Sequence, residues 1–300
     1  MSEISPSAVL VISSQVARGA IGARAAVFAL ERLGLATWLV PTVWMPWHPG
    51  HGRSTRIPTD STAFATALAE IAESEAAREI GTVVTGYFTD PEQIEATARL
   101  VERLRLVTPG LRLVVDPVIG DGHTLYVPQS VAETLRDRLL PLADLATPNA
   151  FEAGWLAGLP VASTFEAIAA ARALPVPTVV VTSAPAMMNR SIATLLVSAG
   201  AAIQIEHPMI EGAAHGTGDL LTALLAGRLA LGQPLETAVT RAVTAVFEVV
   251  ARSARAGADE LALAGEQDVL LHPMAQVSVR RIGEARPGLR RPVARPAALD

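Results

Sequence analysis

The sequence predicts an α/β fold: a three-layer α/β/α arrangement around a central, mainly parallel sheet, with no separate lid domain. Three observations carry this. Strand-like and helix-like segments alternate along most of the chain. The strand-like segments are unbroken apolar runs, the pattern of strands covered on both faces. No long polar linker interrupts the 300 residues, so residues 1–275 are read as a single domain.

The elements follow in order. Ala8 to Ser13 is a short run rich in β-branched residues and is read as a buried strand. Ser14 to Gly22 is a polar, glycine-containing loop, and Ala23 to Leu33 is a helix that stops at Gly34. Thr37 to Val43 is the next strand. Trp44 to Gly52 crowds Pro, Gly, His and Trp into one loop. That loop either packs on its own rings or forms a wall for a flat aromatic ligand. Ser61 to Glu79 is an amphipathic helix, Gly81 to Thr85 a strand, and Gly86 to Asp90 a loop. Pro91 to Val107 is a helix with proline in its first turn.

Leu111 to Asp116 is a strand that ends in an acid and runs into Pro117 to Gly122. Val131 to Leu140 is helical, Ala143 to Asn149 a short strand and turn, and Phe151 to Ala157 a helix closed by Gly158. Thr164 to Leu174 is a helix, Thr178 to Ser183 a strand, and Ser191 to Ile205 a strand pair around Gly200. A loop with Gly212, Gly216 and Gly218 then enters an apolar helix, Leu220 to Leu231, followed by a helix from Leu235 to Arg255. From Gln276 onward the chain is rich in Arg and Pro without an apolar period. Residues 276–300 are therefore expected to be a disordered tail.

Composition excludes several function classes. A net charge of -5 provides no basic field for nucleic acid. No apolar run reaches the ~18 residues of a membrane span, and the polar start is unlike a signal peptide, so a cytoplasmic protein is expected. Cysteine is absent, which excludes disulfides, thiolate metal sites and a cysteine nucleophile. Lysine is absent too, and all 24 basic residues are arginine. A Walker-type phosphate loop and a Schiff-base enzyme carrying pyridoxal phosphate both need a lysine, so both are excluded. His48 and His51 lack a third ligand nearby that would suggest a metal site.

In open α/β sheets, ligands bind outside the C-terminal ends of the strands. Those ends carry Ser13 and Ser14, His48, Thr85 to Tyr87, Asp116, Thr147, Asn149 with Glu152, Thr182 and Ser183, and the loop Gly216-Thr217-Gly218-Asp219. Glycines at a helix start leave free N–H groups at the positive end of the helix dipole, which suits an anion such as phosphate. Asp219 at the mouth of that site has two readings. It is either a first-turn acid that stabilises the helix, or a base that takes a proton from a hydroxyl. Asp116 and Glu152 are candidates to hold Mg²⁺, directly or through water.

On these residues the chain resembles the pyridoxal kinases of the ribokinase-like superfamily. The likeness runs from about Ala8 to Arg252 and rests on Ser14 with Gly19 and Gly22, Arg32-Leu-Gly34, Thr42-Val43 with His48 and Gly52, and Gly86-Tyr87. It continues through Asp116-Pro-Val-Ile-Gly-Asp121, Leu142-Ala-Asp144, Thr147-Pro-Asn149 with Phe151-Glu152, Thr182-Ser183 and Gly216-Thr-Gly-Asp219. The resemblance implies ATP-dependent phosphorylation of the 5′-hydroxyl of pyridoxal. Asp219 is then the base, and the N–H groups of Gly216, Thr217 and Gly218 form the anion hole. Asp116 and Glu152 sit at the metal and phosphates, with Mg²⁺ as the ion and a monovalent cation as a further candidate. Thr147, Asn149, Thr182, Ser183, His207, Pro208, Met209 and Ile210 contact ATP.

The acceptor side is expected to comprise Ser14, Arg18, Thr42, Val43, His48, Pro49, Gly50 and Tyr87. A homodimer in the cytoplasm is implied as well. The chain departs from the family at Gln15, Arg18, Pro41, Trp44 and Pro49, all on the acceptor side, while the phosphate side is intact. Two alternatives stay open: a kinase of another hydroxymethyl heterocycle such as hydroxymethylpyrimidine, and a binding protein without turnover.

Overall fold

The structure, a computed structural model, describes residues 8–283. It opens with β1 (Ala8–Val16), α1 (Gly22–Arg32), β2 (Thr37–Met45), β3 (Ile57–Pro58), α2 (Ser61–Glu73), β4 (Ile80–Thr85), α3 (Pro91–Val107) and β5 (Arg112–Val115). There follow β6 (Gly120–Asp121), β7 (Thr124–Leu125), α4 (Gln129–Thr134), β8 (Leu145–Ala146), α5 (Ala150–Ala157), α6 (Thr164–Ala173) and β9 (Thr178–Pro185). The chain closes with β10 (Ser191–Ser198), β11 (Ala201–Pro208), α7 (Thr217–Ala230), α8 (Leu235–Arg255), α9 (Gln267–Leu271) and β12 (Ser278–Ile282).

One ten-stranded sheet runs β12-β11-β10-β9-β8-β5-β4-β1-β2-β3, with β6 and β7 paired apart from it. The strands from β9 through β2 in that order are mutually parallel. Antiparallel pairs close both edges. The pleat sorts side chains between two cores. Leu10, Ile12, Val83, Leu113 and Val115 face one layer, with Phe64 of α2, Ile94 of α3 and Ala167 of α6. Val9, Val11, Val84, Val114 and Val180 face the other, with Ala26 of α1, Leu224 of α7 and Val246 of α8. The helices therefore flank the sheet on both sides, as its uniformly apolar strands predict.

Local chemistry sets the helix starts. Asp60 and Asp90 cap α2 and α3 by accepting from Ala63 N (2.9 Å) and Gln93 N (3.0 Å). Asn149 and Glu152 form a reciprocal capping box on α5. α7 begins instead after Gly216 with no side-chain cap, which leaves its first N–H groups free of an internal partner.

The structure corrects the sequence-based expectation in several places. Ser278–Ile282, expected within the disordered tail, pairs antiparallel with β11, with Val279 opposite Ile205 and Arg281 opposite Ile203. Its side chains are almost all exposed, so backbone pairing and not an apolar pattern holds it at the sheet edge. The rest of the expected tail from residue 284 lies outside the described residues. The helix expected to Leu140 ends at Thr134 and continues as a π-helical turn, Leu135–Leu139. The short elements β3, β6, β7 and α9 carry no periodicity of their own. Among the described residues, no helix is long and apolar enough to cross a membrane.

Candidate active site

The C-terminal ends of β1, β4, β5, β8 and β9 and the start of α7 converge on one cleft. Gly216, the cap residue of α7, has φ +93°, a left-handed conformation that favours glycine. It packs on the loop after β1: a Cβ there would overlap the Ala20 carbonyl oxygen and lie 3.1 Å from Ile21 Cα. The turn aims the first N–H groups of α7 into the cleft. Asp219 stands in that first turn and accepts from the N–H of Gly22 and from its own N–H. Desolvation raises its carboxyl to about 6, against which these two donors act. A carboxylate raised to that value is matched to proton transfer near neutral pH. Ser14 is buried beside it, since a Cβ on Gly22 would meet Ser14 Oγ at 2.5 Å.

Two further acids stand close by. Asp116 follows β5 and is buried; burial first, then Glu152 and Asp219, push its carboxyl well above the usual carboxylate range. Its Oδ2 accepts from Thr222 Oγ1 at 3.2 Å, and Thr222 Oγ1 lies 2.8 Å from Thr147 Oγ1. Burial also raises Glu152, to about 7. Its Oε1 accepts from Ile119 N (2.8 Å) and Gly120 N (3.3 Å), and its Oε2 from Asn149 N (2.9 Å). Asn149 Nδ2 donates to Gly120 O at 2.8 Å. Glu152 and Asn149 thus hold the turn into β6 through these bonds.

The donor set fits Mg²⁺. It is all oxygen; Glu152 and Asp219 help to raise Asp116, and Asp121 helps to raise Glu152. Among the described residues no three acidic or histidine side chains form a ready-made cage. Mg²⁺ of that kind is held by one or two carboxylates together with substrate phosphates. Asp116 is the carboxylate that could hold such an ion, directly or through water. Asp116→Ala is accordingly expected to raise the Mg²⁺ concentration for half-maximal rate more than it changes acceptor KM. Glu152→Ala is expected to do the same more weakly and to lower Tm, because the N–H groups of Ile119, Gly120 and Asn149 lose their acceptor. Mg²⁺ titrations that overlay the native curve for both variants contradict this.

Beside the first turn of α7 lies a cleft lined among others by Thr182, Ser183, Thr194, His207, Met209, Ile210, Thr217, Gly218, Leu221, Val243 and Phe247. It gathers most of the residues expected at ATP. Pro208 is exposed and does not line it. Ser183 has a positive φ of 49°, rare for a non-glycine residue. The ring of His207 stacks on Phe247, with centroids 4.4 Å apart. Burial lowers His207, and its Nδ1 lies 3.0 Å from the Pro208 carbonyl oxygen. Its neutral ring gives the apolar cleft a flat edge suited to a nucleobase.

The acceptor side is less uniform. Thr42 and Val43 are fully buried, and Thr42 Oγ1 donates to Tyr87 O at 2.7 Å, so Thr42 holds Tyr87 from behind. Tyr87 is half-buried, with its N–H donating to Ser13 Oγ at 3.3 Å. His48 Nδ1 accepts from Gly50 N at 3.1 Å, and Pro49 starts a single 3₁₀ turn. Burial, followed by His215, His51 and Arg56, lowers His48 to about 4, so its ring is neutral at physiological pH. The exposed guanidinium of Arg18 pairs with Asp259 (2.7 Å) and Glu260 (3.1 Å).

Several residues of the site escape sequence reasoning. Leu221, Val243 and Phe247 sit on apolar helix faces whose spacing reads as ordinary core. Tyr126 lies near the acids, and its hydroxyl is pushed up by burial and by Glu152, Asp116, Asp219 and Asp121. The one signal for it is its place just after the Asp116 to Asp121 block.

A family model described as phosphomethylpyrimidine kinase matches residues 56–263. That span begins after β1 and β2, which carry much of the acceptor side. A pyridoxine/pyridoxal/pyridoxamine kinase of Bordetella bronchiseptica is 39% identical over 270 residues, covering 87% of this chain and 94% of the relative. A pyridoxal kinase of Rubrobacter xylanophilus is 34% identical over 281 residues, covering 91% and 97%. Among solved structures, pyridoxal kinase from Leishmania donovani in complex with ADP and pyridoxine superposes with a TM-score of 0.86 at 29% identity, covering 93% of this chain and 100% of that one. The chain belongs to the pyridoxal kinase family, with a ribokinase-like fold.

Proposed function

We infer that the protein transfers the γ-phosphoryl group of ATP to the 5′-hydroxyl of pyridoxal, giving pyridoxal 5′-phosphate and ADP. One observation carries this reading: a desolvated carboxylate, Asp219, sits in the first turn of an uncapped helix between the apolar cleft and the Ser14–Tyr87 side. Asp219 takes the hydroxyl proton, the freed oxygen attacks phosphorus, and the bond to ADP breaks with its electron pair. The N–H groups of Gly216, Thr217 and Gly218 hold the transferring oxygens. Bound Mg²⁺ neutralises phosphate charge, and Asp116 is its residue. The relatives' names and their bound vitamers support the acceptor class. A cytoplasmic homodimer, as in the family, completes the proposal.

The second reading is a hydroxymethylpyrimidine acceptor. The matching family model favours it, as do the departures at Pro41, Trp44 and Pro49. A panel of pyridoxal, pyridoxine, pyridoxamine and hydroxymethylpyrimidine with MgATP separates the two. We expect kcat/KM to favour pyridoxal over the pyrimidine by roughly tenfold to a hundredfold, the scale of one unpaired polar group in a pocket. Arg18→Ala is expected to leave that ratio unchanged, since its partners are Asp259 and Glu260. A native preference for the pyrimidine overturns the pyridoxal reading.

A further inference from the structure

His215 stands immediately before the anion hole, and its ring lies against that of His48 in the acceptor loop, with centroids 4.4 Å apart and a tilt of 42°. Gly50 sits beneath both rings. A Cβ added there would lie 2.6 Å from His215 Nε2 and 2.9 Å from His48 Nδ1. Gly50 is not among the residues of positive φ, so its backbone does not require glycine; it is the His215 and His48 rings that leave a side chain little room. On its far side the same loop brings His51 close to the segment after α8: Nδ1 lies 3.9 Å from Asp259 Oδ2 and Nε2 3.8 Å from Glu260 Oε1. The acceptor loop therefore lies between the segment after α8 and the loop before α7. The opposite flank of the anion hole packs on Ala20 and Ile21 through Gly216.

We propose that His215 is a positioning residue that seats the acceptor loop on the anion hole, so that acceptor and phosphoryl group are aligned together and transfer goes to the vitamer hydroxyl and not to water. This rests on the kinase reading above. His215 acts through Gly50 and His48, which it touches, and not by proton transfer. Alignment is where it matters, because a displacement of about 1 Å between reacting groups costs up to about 10²-fold in rate. The ring is exposed, so its removal leaves the cores untouched.

The test compares the native enzyme, His215→Ala, Gly50→Ala and the double variant with MgATP and pyridoxal, measuring ADP and phosphorylated vitamer separately. His215→Ala is expected to raise pyridoxal KM about tenfold, with ATP KM within about twofold, and to form more than one ADP per phosphorylated vitamer. Gly50→Ala is expected to be more harmful in the native background than in the His215→Ala background, where only the His48 ring still crowds the added methyl group. An unchanged pyridoxal KM and an unchanged ADP-to-product ratio in His215→Ala overturn the proposal. So does a Gly50→Ala effect equal in both backgrounds. In either case a native enzyme that phosphorylates pyridoxal keeps the kinase reading standing, whereas a native enzyme that phosphorylates no acceptor overturns both.

Discussion

Replacing Asp219 with Asn is expected to lower kcat by about 10²–10⁴-fold, the usual contribution of a positioned general base. Asn keeps the shape of the side chain but cannot take the hydroxyl proton. ATP binding should change little, because Asp219 is not among the residues lining the cleft proposed for the nucleotide. The pH profile carries the same argument. With its carboxyl raised to about 6, Asp219 is protonated and inactive below that value, so native kcat/KM falls as pH drops through about 6. The Asn variant loses that limb. The sign for stability is opposite. A folded-state carboxyl raised above its usual 3.8 favours the fold below 3.8, and this contribution is lost as pH rises through about 6. At neutral pH the variant should therefore melt no lower than the native protein. A variant with native kcat removes Asp219 as the base.

Gly216→Ala is expected to be nearly as damaging by a different route. A Cβ overlaps a backbone carbonyl oxygen, that of Ala20, which has no rotamer in which to withdraw, and φ +93° strains any other residue. Such strain costs about 1–3 kcal/mol, so Tm should fall. Relief of the overlap tilts the first N–H groups of α7. Loss of one oxyanion donor costs about 10²–10³ in kcat, and the same scale is expected here. Gly218 makes the contrast: a Cβ there meets only Asp116 Oδ2, at 3.7 Å, so Gly218→Ala should fold normally. Steady-state rates and melting curves of the two variants side by side check this. Equal Tm losses, or a Gly216→Ala enzyme at native rate, contradict it.

The glycine loop and the acids that meet at the start of α7 were legible in the sequence because their signals are local. A glycine loop entering an apolar helix, and acids or hydroxyls just past β-branched runs, are readable without knowing the fold. Contacts with distant partners were not legible. Nothing local to Arg18 shows that the chain brings Asp259 and Glu260 beside it, 241 positions away in the case of Asp259. Nothing local to Glu152 shows that its carboxylate also takes the N–H groups of Ile119 and Gly120. The wall of the nucleobase cleft failed for another reason. Val243, Val246, Phe247 and Val250 repeat at core spacing along α8, and periodicity does not separate a cleft-facing stripe from a buried one. β12 was missed because an edge strand with exposed side chains carries no apolar signal.

Phosphorus NMR and mass analysis of the product formed from pyridoxal and MgATP test the central claim most directly. One phosphate is expected on the hydroxymethyl oxygen of pyridoxal, with one ADP formed per phosphorylated vitamer, and no such product from Asp219→Asn on the same timescale. Phosphate on the phenolic oxygen, or ADP with no phosphorylated vitamer from the native enzyme, would contradict it.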